Sequence, residues 1–119
     1  MKNKIILLTF FFHSVSFALM CTDDYIISGG RAIDLLQDKP FQIIEKDTEL
    51  IVIREKLNIK FINPKIIDNG KYSIKRYSLK LINDEYYFDI FKINDGNKWQ
   101  WEQYAAGSSK RGFGGVCLN

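Results

Sequence analysis

Cys21 and Cys117 lie near opposite ends of a chain of 119 residues, and their state constrains the fold more than any other feature. Joined, they would close almost all of the intervening chain into one loop and hold its two ends together. Whether they join depends on the compartment, because disulfides persist in oxidising surroundings and are rare in the cytosol.

The N-terminus speaks to the compartment. Lys2 and Lys4 precede "IILLTFFF", an apolar block interrupted only by Thr9, and "HSVSFA" follows with small residues at Ser16 and Ala18. A charged start, a short apolar run and small residues two apart are the marks of a secretory signal peptide. The uncharged stretch from Ile5 to Thr22 contains His13, Thr9, Ser14, Ser16 and Thr22. It therefore falls short of the roughly 18 to 20 apolar residues that a membrane span needs. Residues 1–18 are expected to be the signal and 19–119 a single mature domain; 119 less 18 leaves 101 residues. No membrane span is expected after cleavage.

Three fates are open to Cys21. Lipidation needs small residues just before the cysteine, and Met20 is large for that place. A free thiol is the second fate. The third is a bond to Cys117, which an even cysteine count in an exported chain favours. Closing so long a loop stabilises by roughly 4 to 5 kcal/mol in the chain-entropy model.

Removing Lys2 and Lys4 lowers 17 basic side chains to 15 against 14 acidic ones, so the formal charge falls from +3 to +1. No basic surface for nucleic acid survives that subtraction. The lone histidine, His13, leaves with the signal as well. Ser-His-Asp and Cys-His nucleophile systems and histidine metal sites are thereby excluded from the mature chain. Asp23-Asp24 and Asp84-Glu85 are expected in solvated turns. No catalytic residue, metal ligand or cofactor is assigned, and the chain is expected not to be an enzyme.

The periodicity reads as α+β: one short N-terminal helix followed by an antiparallel meander of about six strands. The helix is expected over "RAIDLLQD", residues 31–38, after Ser28-Gly29-Gly30 and before Lys39-Pro40. "FQIIEK", "ELIVIRE" and "LNIKFI" read as strands. Asn63-Pro64 reads as a loop and Asp68-Asn69-Gly70 as a turn. In "KYSIKRYSLKLI" the apolar phase slips near Lys75-Arg76, as a β-bulge would make it. "EYYFDIFKI" and "KWQWEQY" form a hairpin about Asp95-Gly96, and "YAAGSSKRGFGGVC" reads as a flexible loop returning Cys117 to Cys21.

Trp99 and Trp101, with Tyr104 and the basic pair Lys110-Arg111, make the candidate binding surface. Alternating aromatics can stack on a sugar or a partner. At period two they also suit a core, and both readings stand. The series Lys71, Lys75, Arg76, Lys80 is expected to be solvent-facing.

"MCTDDYIISGGRAIDLLQDKP", residues 20–40, resembles the start of the small lipoproteins of the bacterial outer-membrane assembly machinery. In those a glycine precedes a short helix, a proline follows, and an antiparallel sheet completes the domain. Gly29 or Gly30, Leu36 and Pro40 occupy these places, whereas Lys39 stands where the pattern prefers glycine and Met20 spoils the lipidation site. The resemblance implies a protein-binding role in the envelope and assigns no residue.

The function expected is a non-enzymatic exported binding protein of the bacterial envelope, such as an inhibitor or immunity protein, periplasmic or secreted. The partner expected is another protein, with carbohydrate as the other candidate. The alternative is a secreted carbohydrate- or receptor-binding subunit, which would expose both tryptophans. Mature protein from the native host should begin at Leu19 by N-terminal sequencing; intact Met1 in a cytosolic fraction would overturn the export reading.

Overall fold

A computed structural model describes residues 17–29, 31–34, 39–68, 70–92, 98–107 and 110–118. The first sixteen residues of the expected signal lie outside the described residues. Ten strands follow in chain order: β1 (Phe17–Thr22), β2 (Tyr25–Ser28), β3 (Arg31–Asp34), β4 (Pro40–Glu45) and β5 (Glu49–Arg54). Then come β6 (Leu57–Asp68), β7 (Ser73–Lys80), β8 (Glu85–Lys92), β9 (Trp99–Ala105) and β10 (Arg111–Leu118).

Strands β4 to β10 pair in sequence, each antiparallel to the next, and β1 pairs with both β4 and β10. Eight strands thus close into a barrel, while β2 and β3 extend the sheet from the first half of β10. Closure removes free sheet edges from the wall. The molecule is all-β and has no helix among its described residues.

Period two fills the interior. Leu19 and Cys21, Phe41 and Ile43, Leu50 and Val52, Phe61, Tyr77, Phe88 and Ile90, Trp101 and Cys117 form one buried cluster. Register keeps them on one face: Val52 lies opposite Ile43, Phe61 opposite Leu50, Phe88 opposite Tyr77, and Trp101 opposite Ile90. An eight-stranded barrel is just wide enough for its side chains to fill. Trp101 sits at the centre of the aromatic packing, stacked on Phe88 at 5.5 Å and edge-on to Phe41 at 4.9 Å. Its indole N–H donates to the Thr22 carbonyl at 3.0 Å. The strand opposite carries Gly115, where a Cβ would come within 1.9 Å of that same carbonyl. Any larger residue there would push β1 away from the indole.

The seam between β1 and β10 holds two residue pairs, Met20 with Leu118 and Cys21 with Cys117. The second pair is a disulfide, its Cα atoms 4.0 Å apart and both residues fully buried. Cys21 is therefore neither lipidated nor free. Phe17 and Ala18 add two pairs with β4 upstream, so cleavage after Ala18 leaves the seam and Leu19–Thr22 intact.

The α+β expectation is corrected. Arg31–Asp34 is strand β3, hydrogen-bonded to β2, and 35–38 lie outside the described residues. Eight residues between a glycine pair and a Lys-Pro are too few for a helix to be stable alone, since isolated helices need roughly 12 to 15. Gly29, at φ 60°, instead folds the chain back onto Tyr25–Ser28. No helix of the kind the lipoprotein resemblance implies occurs among the described residues.

Residues 111–118, expected as part of a loop, are β10. Its glycines lower β propensity locally but permit the close approaches the wall needs there. Between β7 and β8 the register runs unbroken, so the expected bulge at Lys75-Arg76 is not present. The phase change reflects two faces: Tyr72 stacks on Phe91, which lies opposite Ile74, while Tyr77 and Leu79 pack against the core. The register shift lies in β6, between Ile62 and Lys65, with Asn63 at φ 56°, so Asn63-Pro64 is a bulge within a strand rather than a loop.

Because so short a seam closes the barrel, reduction of Cys21–Cys117 should lower the thermal midpoint by on the order of 20 °C. An unchanged midpoint after verified reduction would show that strand pairing alone closes the wall.

Candidate functional site at the open end of the barrel

The two ends of the barrel differ. At one, the interior is plugged by polar side chains: the Tyr77 hydroxyl donates to Glu45 at 2.7 Å, and Lys75 lies 3.2 Å from the same carboxylate. Lys92 covers Trp99 there, its Nζ 4.6 Å from the ring. At the other, where β1, β5, β7 and β9 finish, a cavity of about 280 Å³ opens between Asp23, Arg54, Ile59, Gln103 and Phe113.

Arg54 follows Leu50 and Val52 in the inward phase of β5, which aims its guanidinium at the mouth. It bonds both Asp23 oxygens, at 2.8 and 3.0 Å, and lies 3.8 Å above the Phe41 ring and 5.6 Å from that of Trp101. A bidentate carboxylate and a stacked aromatic hold a guanidinium rigidly. Asp23 and Asp24 form the corner between β1 and β2 rather than a solvated turn. The Asp24 carboxylate accepts from Thr22 Oγ1 and the Val116 N–H, and the Asp24 backbone N–H donates to the Gly114 carbonyl.

The rim is apolar. Leu57 starts β6, Leu81 and Ile82 form the β7–β8 turn, and Ile82 is 99% exposed. Phe113 is half-exposed and pairs with Ile26, which pairs with Ile33. The inward face of the barrel thus continues past the mouth onto the β2–β3 hairpin as a row of Phe113, Ile26 and Ile33. The Gln103 side chain, beside Phe113 in the cavity wall, has no described hydrogen-bond partner.

The outer wall carries a second polar cluster. Asp89 is only 2% exposed; it accepts from Arg76 at 2.8 Å and from the Tyr104 hydroxyl at 2.7 Å. Directly opposite on β9, Glu102 accepts from the Tyr25 hydroxyl at 2.8 Å and from Lys110 at 2.6 Å. Tyr25 lies flat across Gly114, where a Cβ would meet its ring at 2.4 Å. This cluster ties the hairpin to the barrel. Both carboxylates are held by fixed donors, and the Asp89 partnership keeps the Arg76 guanidinium charged above its usual range. Burial, then the neighbouring carboxylates, raise the hydroxyls of Tyr25, Tyr77 and Tyr104 above the usual value for tyrosine.

The expected binding residues separate onto different surfaces. Trp101 is inside the barrel, and Trp99 is half-buried at the plugged end. Tyr104 and Lys110 meet on the outer wall, with the ammonium 4.5 Å from the ring. Arg111 is exposed at the start of β10, opposite Ser28. Of the basic series, Lys75 and Arg76 are held in ion pairs rather than facing solvent alone. The mouth residues Asp23, Arg54, Ile59, Gln103 and Phe113 went unassigned in the sequence. One signal for them was legible: Arg54 is a charge in the apolar phase of "ELIVIR".

No protein-family model, no curated protein and no solved structure matches the chain.

The raised tyrosine hydroxyls set an alkaline limit. Their folded pKa values lie above the unfolded value of about 10, so the folded state holds more protons above that pH. Their contribution is complete below about pH 10 and is lost as pH rises through the folded values. Absorbance titration near 295 nm should show Tyr25, Tyr77 and Tyr104 ionising only together with unfolding. Smooth titration of these three near pH 10 with the fold intact would contradict this.

Proposed function

We propose that this is an exported, non-enzymatic binding protein of the bacterial envelope, periplasmic or secreted, which holds a protein partner at the open end of its barrel. An inhibitor or immunity protein is the kind of binder that suits one small stapled domain. The observation carrying this reading is that exposed Leu57, Leu81 and Ile82 stand at the barrel end where the cavity opens, and that the cavity wall itself includes half-exposed Phe113. Contiguous exposed apolar surface with a polar centre marks an interaction site.

Size supports a protein partner. Pockets for whole small molecules run from roughly 300 to 1,000 Å³, and this cavity of about 280 Å³ lies just below that range. It suits one or two apolar side chains of a larger partner, with Gln103 and the outer N–H groups of Arg54 available to its backbone. The disulfide fits an oxidising compartment. Burial of Trp101 favours a protein partner over the sugar-binding alternative, which needs both indole faces exposed.

The test is affinity capture from the native envelope with three forms of the tagged protein. Wild type and Ile66→Lys, changed at an exposed position far along β6 from the mouth, should capture the same partner. The Leu57→Lys/Ile82→Lys variant should lose it, because replacing apolar anchors costs roughly 2 kcal/mol or more, about thirtyfold in Kd. Retention of the partner by that variant, with an unchanged thermal midpoint, would overturn the assignment of the mouth.

A further inference from the structure

The sheet does not end at the barrel wall. Among the described residues β3 pairs with β2 on one side only, and its other side is a free edge. All four of its residues are exposed. We propose that this edge takes an extended segment of the partner protein as an additional antiparallel strand. That segment would carry a basic residue opposite Asp34, an apolar one opposite Ile33 and an acidic one opposite Arg31. The inference rests on the protein-binding reading and adds how the partner's backbone is held.

The first argument is continuity. Gln103, Phe113, Ile26 and Ile33 lie opposite one another across four strands, on the face that lines the barrel. Alternate side chains of an added strand would extend that row and cover the half-exposed Ile33. Strand addition gains affinity from main-chain hydrogen bonds and specificity from alternate side chains.

The second argument is charge. Residues directly opposite in an antiparallel pair interact, and opposite charges there are favourable while like charges are not. Arg31 and Asp34 lie three positions apart and so on opposite faces of the sheet. A strand answering both must therefore be basic on one face and acidic on the other, in a defined chain direction.

That requirement rejects a second copy of β3. Two identical edges pair antiparallel about a two-fold axis normal to the sheet, and such an axis brings only same-face residues opposite each other. Arg31 would then meet Ile33 or another Arg31, and never Asp34. The occupant is a different chain.

The peptide Thr-Lys-Val-Thr-Glu-Thr sets Lys opposite Asp34, Val opposite Ile33, Thr opposite Ala32 and Glu opposite Arg31. Its binding to the mature protein can be followed by amide shifts in ¹⁵N–¹H spectra, with the reversed sequence Thr-Glu-Thr-Val-Lys-Thr as control. The forward peptide should shift the amides of 31–34 and bind roughly threefold to tenfold tighter than the reverse, as two charge pairs of ordinary strength predict. In the Arg31→Glu/Asp34→Lys protein the preference should pass to Thr-Glu-Val-Thr-Lys-Thr. A substitution that merely disturbed the hairpin would not restore binding to a charge-swapped peptide.

Equal binding of both directions overturns the proposal, as do shifts confined to the mouth. Concentration-dependent shifts of 31–34 without peptide would show self-pairing and overturn it too. The native partner separates this failure from that of the mouth assignment. If Arg31→Glu/Asp34→Lys keeps the partner while Leu57→Lys/Ile82→Lys loses it, the edge proposal is wrong and the protein-binding reading stands. If both variants keep the partner, both fall.

Discussion

The barrel is closed where its pairing is shortest. β1 meets β10 through two residue pairs, and one of them is the bond between Cys21 and Cys117. Every other wall contact joins strands adjacent in sequence or pairs β1 with β4. Neighbours in sequence find each other at little loop-closure cost, whereas the seam must bring together two distant parts of the chain. A covalent link there acts mainly on the unfolded chain, which it denies most of its extended states. The seam thus needs surroundings in which that disulfide persists.

Closure fixes which side of each strand becomes interior, and this decides the fate of the aromatics. Phe41, Phe88 and Trp101 meet inside, and the indole N–H finds the Thr22 carbonyl because Gly115 leaves room for it. A buried indole without that acceptor would carry an unsatisfied donor, at a cost of about 1 to 3 kcal/mol. On the outer wall Asp89 is sealed by Arg76 and Tyr104, and Glu102 by Tyr25 and Lys110. Of these, the bond from Tyr25 to Glu102 fastens the β2–β3 hairpin to the wall, and the barrel mouth is left as an incompletely filled surface with a polar centre.

The mouth and the hairpin are two parts of one face. β1 and β2 lie on the same side of β10 but part at Asp23-Asp24, the first turning to β4 and the second continuing outward. The inward surface consequently emerges through the mouth and runs along Phe113, Ile26 and Ile33 to the free edge of β3. A partner seated in the cavity and one pairing along that edge would contact the same continuous surface.

The alternation in "FQIIEK", "ELIVIRE", "LNIKFI", "EYYFDIFKI" and "KWQWEQY" reveals strands because a half-buried strand repeats every second residue within a few positions. The two-cysteine count likewise allows only one intramolecular bond once export is accepted. Those features are local or combinatorial, and the sequence alone determined them. What the chain needed its tertiary structure to decide was anything set by a distant partner. "RAID" became a strand because β2 lay beside it, and "RGFGGVCL" because β9 and Tyr25 needed its glycines. Trp101 turned inward, and Arg54 met Asp23, only when the seam closed the sheet on itself. Periodicity states that a strand has two faces; only closure, through contacts between residues far apart in the chain, determines which face meets water.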